Sequence, residues 1–150
     1  MRCRDSEETR EFYEDFLGLP LVHATKIVET KTGNATNTLH IFFRMHDGSY
    51  LAFFESPKKS FAFKEQHDFD LHTALEVDET FMNEMILKAK TLNIETRGIS
   101  DHDFFRSVYF RDPNGYVLEL TAKQPHHDDS LDPIKNNARQ ILHDWQTDKI

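Results

Sequence analysis

The chain has 150 residues and a net charge of −8, from 18 basic against 26 acidic residues. That acidity, with no Lys/Arg stripe, argues against nucleic acid as a partner, and no apolar run reaches the length of a membrane span. Thirteen Phe provide for a sizeable core, while the single Cys excludes an internal disulfide.

Met1–Arg4 reads as the last piece of a strand, and Met1 leads straight into charged RCRDSEE, which carries no secretory leader pattern. A reducing cytoplasm is the expected home. Asp5 opens a helix: Asp-x-x-Glu at Asp5 and Glu8 is capping-box-like, Phe12, Phe16 and Leu17 follow at helical spacing, and Gly18 stops it. Segments 22–29, 38–45 and 49–56 read as strands, with Asp47-Gly48 as the hairpin turn between the last two. The polar stretch 57–69 (PKKSFAFKEQHDF) reads as a connector.

The pattern then recurs. LHTALEV at 71–77 is a strand, and Asp78 caps a helix with Phe81, Met82, Met85, Ile86 and Ala89 on one face, ending near Asn93. Short strands follow at 93–97, 104–111 and 115–122. Asp112-Pro113-Asn114-Gly115 joins the last two, Pro presetting φ and Asn and Gly tolerating φ > 0. Beyond them, PHHDDSLDP at 125–133 is a loop. Asp132-Pro133 opens a final helix with Ile134, Ala138, Ile141, Leu142 and Trp145 on one stripe, expected to pack on the body or on a partner subunit.

Both halves therefore read β-α-β-β-β, an internal repeat. The expected organisation is one α+β domain over 1–122, with module one at 1–56 and module two at 70–122, then a linker and C-terminal helix over 123–150. Superposing the caps Asp5 and Asp78 gives an offset of 73, which places the counterparts of Leu71–Thr73 just ahead of Met1.

Glu119 is a lone carboxylate between Leu118 and Leu120, on one strand face with Val117 and Thr121. A strand Glu is ordinarily solvated, so Glu119 is either that or a residue placed in a cavity. Nine His are many for this length, and His72 stands in the first strand of module two. His102, Arg106 and Tyr109 lie in or just before the strand leading to the turn, with Arg106 and Tyr109 on opposite faces. His40 shares a face with Phe42 and Arg44. His126-His127-Asp128-Asp129 reads as a solvated linker, and Cys3 as a packed strand residue.

DSEETREFYEDFLGLPLV at 5–22, FDLHTALEVDE at 69–79 and RSVYFRDPNGYVLELT at 106–121 carry a resemblance to the vicinal oxygen chelate superfamily. That group holds glyoxalase I, the extradiol dioxygenases, and the fosfomycin and bleomycin resistance proteins. HDFFRSVYFRDPNGYVLEL is most similar to small dioxygenase-type members. The resemblance implies paired βαβββ modules forming a half-open, cup-shaped sheet with a divalent metal on its floor. It assigns His72 and Glu119 as metal ligands of module two, and a further His from the first strand of module one, at a position ahead of Met1. Glu119 aligns with Ala52 or Phe53 in module one, so the four-ligand glyoxalase I arrangement is disfavoured. Two His and one carboxylate are the usual platform for Fe(II) oxygen chemistry, with Mn(II) or Zn(II) as alternatives. The implied function is oxidation or ring cleavage of a small catechol-like substrate, with His102, Tyr109 and Arg106 as candidate catalytic residues steering protons. A metal-free binding protein of the bleomycin-resistance kind, or a glyoxalase-like lyase or isomerase, is the alternative. A homodimer is implied by the same resemblance.

Overall fold

The computed structural model describes residues 1–149. Each half is a four-stranded mixed sheet with a helix against one face, an α+β fold with an additional C-terminal helix. The first sheet holds β1 (Arg2–Cys3), β2 (Leu21–Glu29), β3 (Ala35–Arg44) and β4 (Tyr50–Glu55) in the order β1-β4-β3-β2. The second holds β5 (Thr73–Glu76), β6 (Thr96–Asp101), β7 (Phe105–Arg111) and β8 (Val117–Lys123) in the order β5-β8-β7-β6. In both, the first strand returns parallel to the last, Arg2 opposite Phe54 and Ala74 opposite Glu119. The chain thus repeats one topology twice.

Asp5 caps α1 (Ser6–Arg10), its Oδ1 accepting from the amides of Glu7 and Glu8. The expected capping box is only half formed, because Glu8 pairs with the Arg4 side chain. The helix continues as a π-helical stretch, Glu11–Phe16. The wider turn brings Phe12, Tyr13 and Phe16 all into the core. Asp78 caps α2 (Glu79–Thr91) through a 2.7 Å bond from the Phe81 amide. Lys88 of α2 donates to the carbonyls of Asp15 and Phe16 at 2.6 and 2.8 Å, so a cation meets the acceptor-rich end of the first helix.

Period-two alternation decides which sheet face is covered. Phe43, Phe53, Val108, Phe110, Leu118 and Leu120 are buried toward the helices and form one continuous core across both modules. Phe16 of the first helix meets Phe110 of the second sheet edge-on at 5.3 Å. The opposite, open faces carry His40, Phe42, Ala52 and Phe54 in module one, and Tyr109, Glu119 and Thr121 in module two.

The tail differs from expectation at two points. His127–Ser130 forms a short helix, α3, inside the expected loop, and the last helix, α4 (Ala138–Asp148), starts later than Asp132-Pro133. Asp132 and Asn136 accept from the amides of Ile134 and Ala138, and these local turns hold the intervening backbone. Ile134, Ile141, Leu142 and Trp145 are exposed in the single chain. Among the described residues no helix is long and apolar enough to cross a membrane.

Candidate metal centre

The pairing of β5 with β8 decides the placement of Glu119. Because Ala74 lies opposite Glu119, His72, just ahead of β5, reaches over the same open face. Its Nε2 stands 2.9 Å from Glu119 Oε2. The Glu119 side chain is only 5% exposed, so the carboxylate is not a solvated surface group. His72 Nδ1 lies 2.7 Å from the carbonyl oxygen of Asp68. A carbonyl can only accept, so Nδ1 donates to it and Nε2 is the nitrogen turned to Glu119. At 2.9 Å Nε2 and the carboxylate oxygen share a proton when no ion lies between them, and an ion bound through Nε2 would take that proton's place.

Tyr109 faces Glu119 across the β7–β8 ladder, and its ring meets the His72 ring edge-on at 6.1 Å. Burial raises the Tyr109 phenol above its ordinary pKa, and the adjacent Glu119 carboxylate raises it further. The phenol therefore keeps its proton at neutral pH.

Two residues that sequence reasoning passed over complete this cluster. Arg97 on β6 lies over the Tyr109 ring, its Cζ 4.8 Å from the centroid. It also pairs with Asp68 Oδ1 at 2.9 Å, where the Asp68 side chain is 11% exposed. Burial works against the Asp68 charge, but Arg97 and the backbone amide outweigh it and hold the carboxyl below its usual range. Asp68 sits in the polar connector, where nothing in the pattern distinguishes it. The alternation of β6 was the one signal that could have placed Arg97 on the open face.

The remaining candidates lie elsewhere. Arg106 points to the helix face and pairs with Glu79 at 2.6 Å, so it shares no face with Tyr109. His102 is exposed in the β6–β7 turn, stacked on Phe105 at 4.6 Å. His40 stacks on Phe54 at 3.7 Å on the open face of module one, its pKa lowered by burial and by the nearby N-terminal ammonium. Glu55 faces the helices and accepts from the Ser6 amide at 2.8 Å. Ala52 lies four residues after the positive-φ Gly48, as Glu119 lies four after the positive-φ Gly115. The counterpart of Glu119 is therefore an alanine. Burial pushes the Cys3 thiol up, in keeping with a packed residue. A concavity of about 650 Å³ lies between Leu17–Leu19, Met45–Asp47 and β5, and does not include His72 or Glu119.

A divalent cation fits the pair. Two donors each about 2.1 Å from one ion and at right angles stand roughly 3.0 Å apart, close to the 2.9 Å observed. Imidazole plus carboxylate suits Mn(II), Fe(II) or Zn(II). Among the described residues no group of three or more His, Cys, Asp or Glu converges on one point, so the pair is a two-residue donor set.

The α+β fold of two βαβββ modules, with a His and a carboxylate facing each other on the open side of the second, is the arrangement that the resemblance implies. The model of the Glyoxalase/Bleomycin resistance protein/Dioxygenase superfamily matches residues 1–120, and the chain belongs to that family. Comparison with curated proteins finds no match. Among solved structures, the fosfomycin resistance protein FosX from Listeria monocytogenes, complexed with Mn(II) and sulfate, is similar at 19% identity and a TM-score of 0.62, covering 85% of this chain and 91% of that one. A glyoxalase/dioxygenase from Nostoc punctiforme is 21% identical with a TM-score of 0.63, over 83% of this chain and 87% of that one. A glyoxylase/bleomycin resistance protein/dioxygenase domain from Frankia sp. EAN1pec reaches a TM-score of 0.66 at 16% identity, covering 82% and 92%.

Proposed function

We propose that this chain is a divalent-metal-dependent enzyme acting on a small molecule that presents two neighbouring oxygens, with oxidation or ring cleavage of a catechol-like substrate as the favoured reaction. The observation that carries the reading is the 2.9 Å approach of His72 Nε2 to a buried Glu119, with the His72 ring oriented by the Asp68 carbonyl. A buried carboxylate answered by an oriented imidazole is costly to keep unless it serves a site.

His72 and Glu119 would hold the ion, and the Mn(II) bound by the FosX neighbour is in keeping with a divalent metal. Fe(II) is the choice of the dioxygenase reading. When bound, such an ion supplies Lewis acidity, lowering the pKa of hydroxyls that chelate it. The rest belongs to the chain. As ligands, the buried Glu119 would contribute one negative charge and the partly exposed His72 a neutral ring, so the pair would only partly offset a divalent charge. Tyr109 keeps its proton at neutral pH and presents a hydroxyl donor beside Glu119. Its role is to hold and orient a substrate oxygen, and to give a proton at its Oη rather than take one.

Titration of the full chain with Mn(II) and Fe(II), beside His72→Ala and Glu119→Ala, tests the reading. Near-stoichiometric binding lost in both variants is expected, followed by O₂ uptake when catechol is added to the Fe(II) form. A parent chain that binds neither ion overturns the enzyme proposal in favour of a metal-free binding protein. Metal bound without O₂ uptake removes the dioxygenase step and leaves a lyase or isomerase. A homodimer belongs to the same proposal, supported by the exposed stripe of Ile134, Ile141, Leu142 and Trp145. A monomer by light scattering at micromolar concentration would remove it.

A further inference from the structure

We infer that Asp68 and Arg97 form a clamp that positions His72, making them determinants of metal affinity without being ligands; this rests on the metal reading above. Three links support it. Asp68 reaches the site twice, its backbone carbonyl taking the His72 Nδ1 proton at 2.7 Å and its side chain pairing with Arg97 at 2.9 Å. The clamp spans the fold, since Asp68 belongs to the segment before β5 and Arg97 to β6, on the far side of β8 and β7. Arg97 is itself placed by the Tyr109 ring beneath it at 4.8 Å, and Tyr109 is the β7 residue opposite Glu119. The chain of contacts therefore leaves Glu119, passes through Tyr109, Arg97 and Asp68, and returns to His72.

The physical need is specific. Residues 67–72 make a turn in which the amides of Asp70 and Leu71 both bond to the His67 carbonyl. A surface turn without side-chain anchors would let the Asp68 carbonyl swing away. The Nδ1 proton would then have no fixed acceptor, and the ring could rotate and turn Nε2, the nitrogen the ion requires, away from Glu119. Among the described residues the one side-chain anchor of Asp68 besides Arg97 is His67, whose Nδ1 lies 3.5 Å away and whose side chain is 62% exposed. Arg97 therefore does most of the holding. The carboxylate is 11% exposed but the Arg97 side chain is 56% exposed, so solvent screens the pair from the guanidinium side.

The test is a double-mutant cycle on the full-length chain with Mn(II) as the probe. Asp68→Asn keeps the size and the backbone carbonyl but removes the charge, and Arg97→Ala removes its partner. Each is expected to weaken Mn(II) binding about 10-fold, the lower end of the range for groups that orient a metal ligand. The double variant should be no weaker than either single one, because both remove the same clamp. Additive losses, or single variants that bind as the parent does, would overturn the proposal. Nitrogen NMR of the His72 ring in the metal-free chain supplies an independent readout. The parent should show one hydrogen-bonded Nδ1–H protected from solvent, and both single variants should show that proton exchanging with water. If the parent binds no Mn(II), the function proposed above fails while this spectrum still decides the clamp. An equally protected Nδ1–H in both variants would end it.

Discussion

The Tyr13 hydroxyl donates to Asp112 Oδ2 at 3.1 Å, joining the first helix to the turn of the second module between two side chains that are both fully buried or nearly so. Asp112 also accepts from the amides of Asn114 and Tyr116, at 2.9 and 2.8 Å. Asn114 Oδ1 in turn accepts from the Arg4 amide at 2.8 Å. The DPNG segment is therefore the buried polar joint between the modules as well as a hairpin.

Tyr13→Phe should cost about 1–3 kcal/mol, as expected for loss of a buried hydrogen bond to a charged group. Its pH dependence is more telling. Burial raises the Asp112 carboxyl above its ordinary pKa despite the hydrogen bonds it accepts. The group therefore favours the fold below its unfolded pKa of about 3.9, and that contribution is lost as pH rises through the folded value. Removing the Tyr13 donor destabilises the charged form and lifts the folded value further. Denaturant unfolding across the acid range should show the loss extending to higher pH in Tyr13→Phe. Parallel curves for parent and variant would contradict it.

Gly115 and Gly48 make a matched pair. Both have positive φ, +93° and +84°. A Cβ on Gly115 would stand 2.6 Å from the Lys64 amide nitrogen and 2.9 Å from that of Glu65, while one on Gly48 meets nothing within 4 Å. Gly48→Ala should cost about 1–2 kcal/mol, the conformational penalty alone. Gly115→Ala must also displace the connector backbone, and should lower the unfolding midpoint clearly more. Equal midpoints would show that the connector yields freely.

Tyr109 offers a spectroscopic check. Burial is the larger cause of its raised pKa and Glu119 the next. Glu119→Gln should therefore bring one tyrosine midpoint down in an ultraviolet titration without returning it to the ordinary value near 10. An unchanged curve would place the phenol away from the carboxylate.

Metal should stabilise the folded chain by mass action. Mn(II) at about 100 times its dissociation constant would add roughly 2.7 kcal/mol. Chelation should reverse the shift in melting temperature, and Glu119→Ala should abolish it. A shift that survives in that variant would locate the ion elsewhere.

Much of the architecture was legible from local chemistry. Asp5 and Asp78 announce the two helices because an N-cap carboxylate satisfies free amides wherever it occurs. The Asp112–Gly115 turn and the alternation of 115–122 place a hairpin and turn Glu119 to one face, since backbone sterics and the period of two act within a few residues. The alternation also separates Arg106 from Tyr109. What alternation cannot say is whether a face is wet. Glu119 is buried because the parallel return of β5 along β8 brings His72 over it, and that contact depends on chain closure between distant segments. The same holds for Asp68 and Arg97, two charged residues in polar surroundings whose meeting depends on where the connector crosses β6. The π-helical turn at Glu11–Phe16 and the later start of α4 were likewise settled by packing and by side-chain bonds to backbone. The sequence by itself determined the repeat, most of the elements and their faces, because these follow from short-range geometry, while the strand expected at 93–97 lies at Thr96–Asp101 and the short helix His127–Ser130 replaces part of an expected loop. Only the tertiary structure decided which polar residues lose their water and to which partners, because desolvation is a property of the assembled chain.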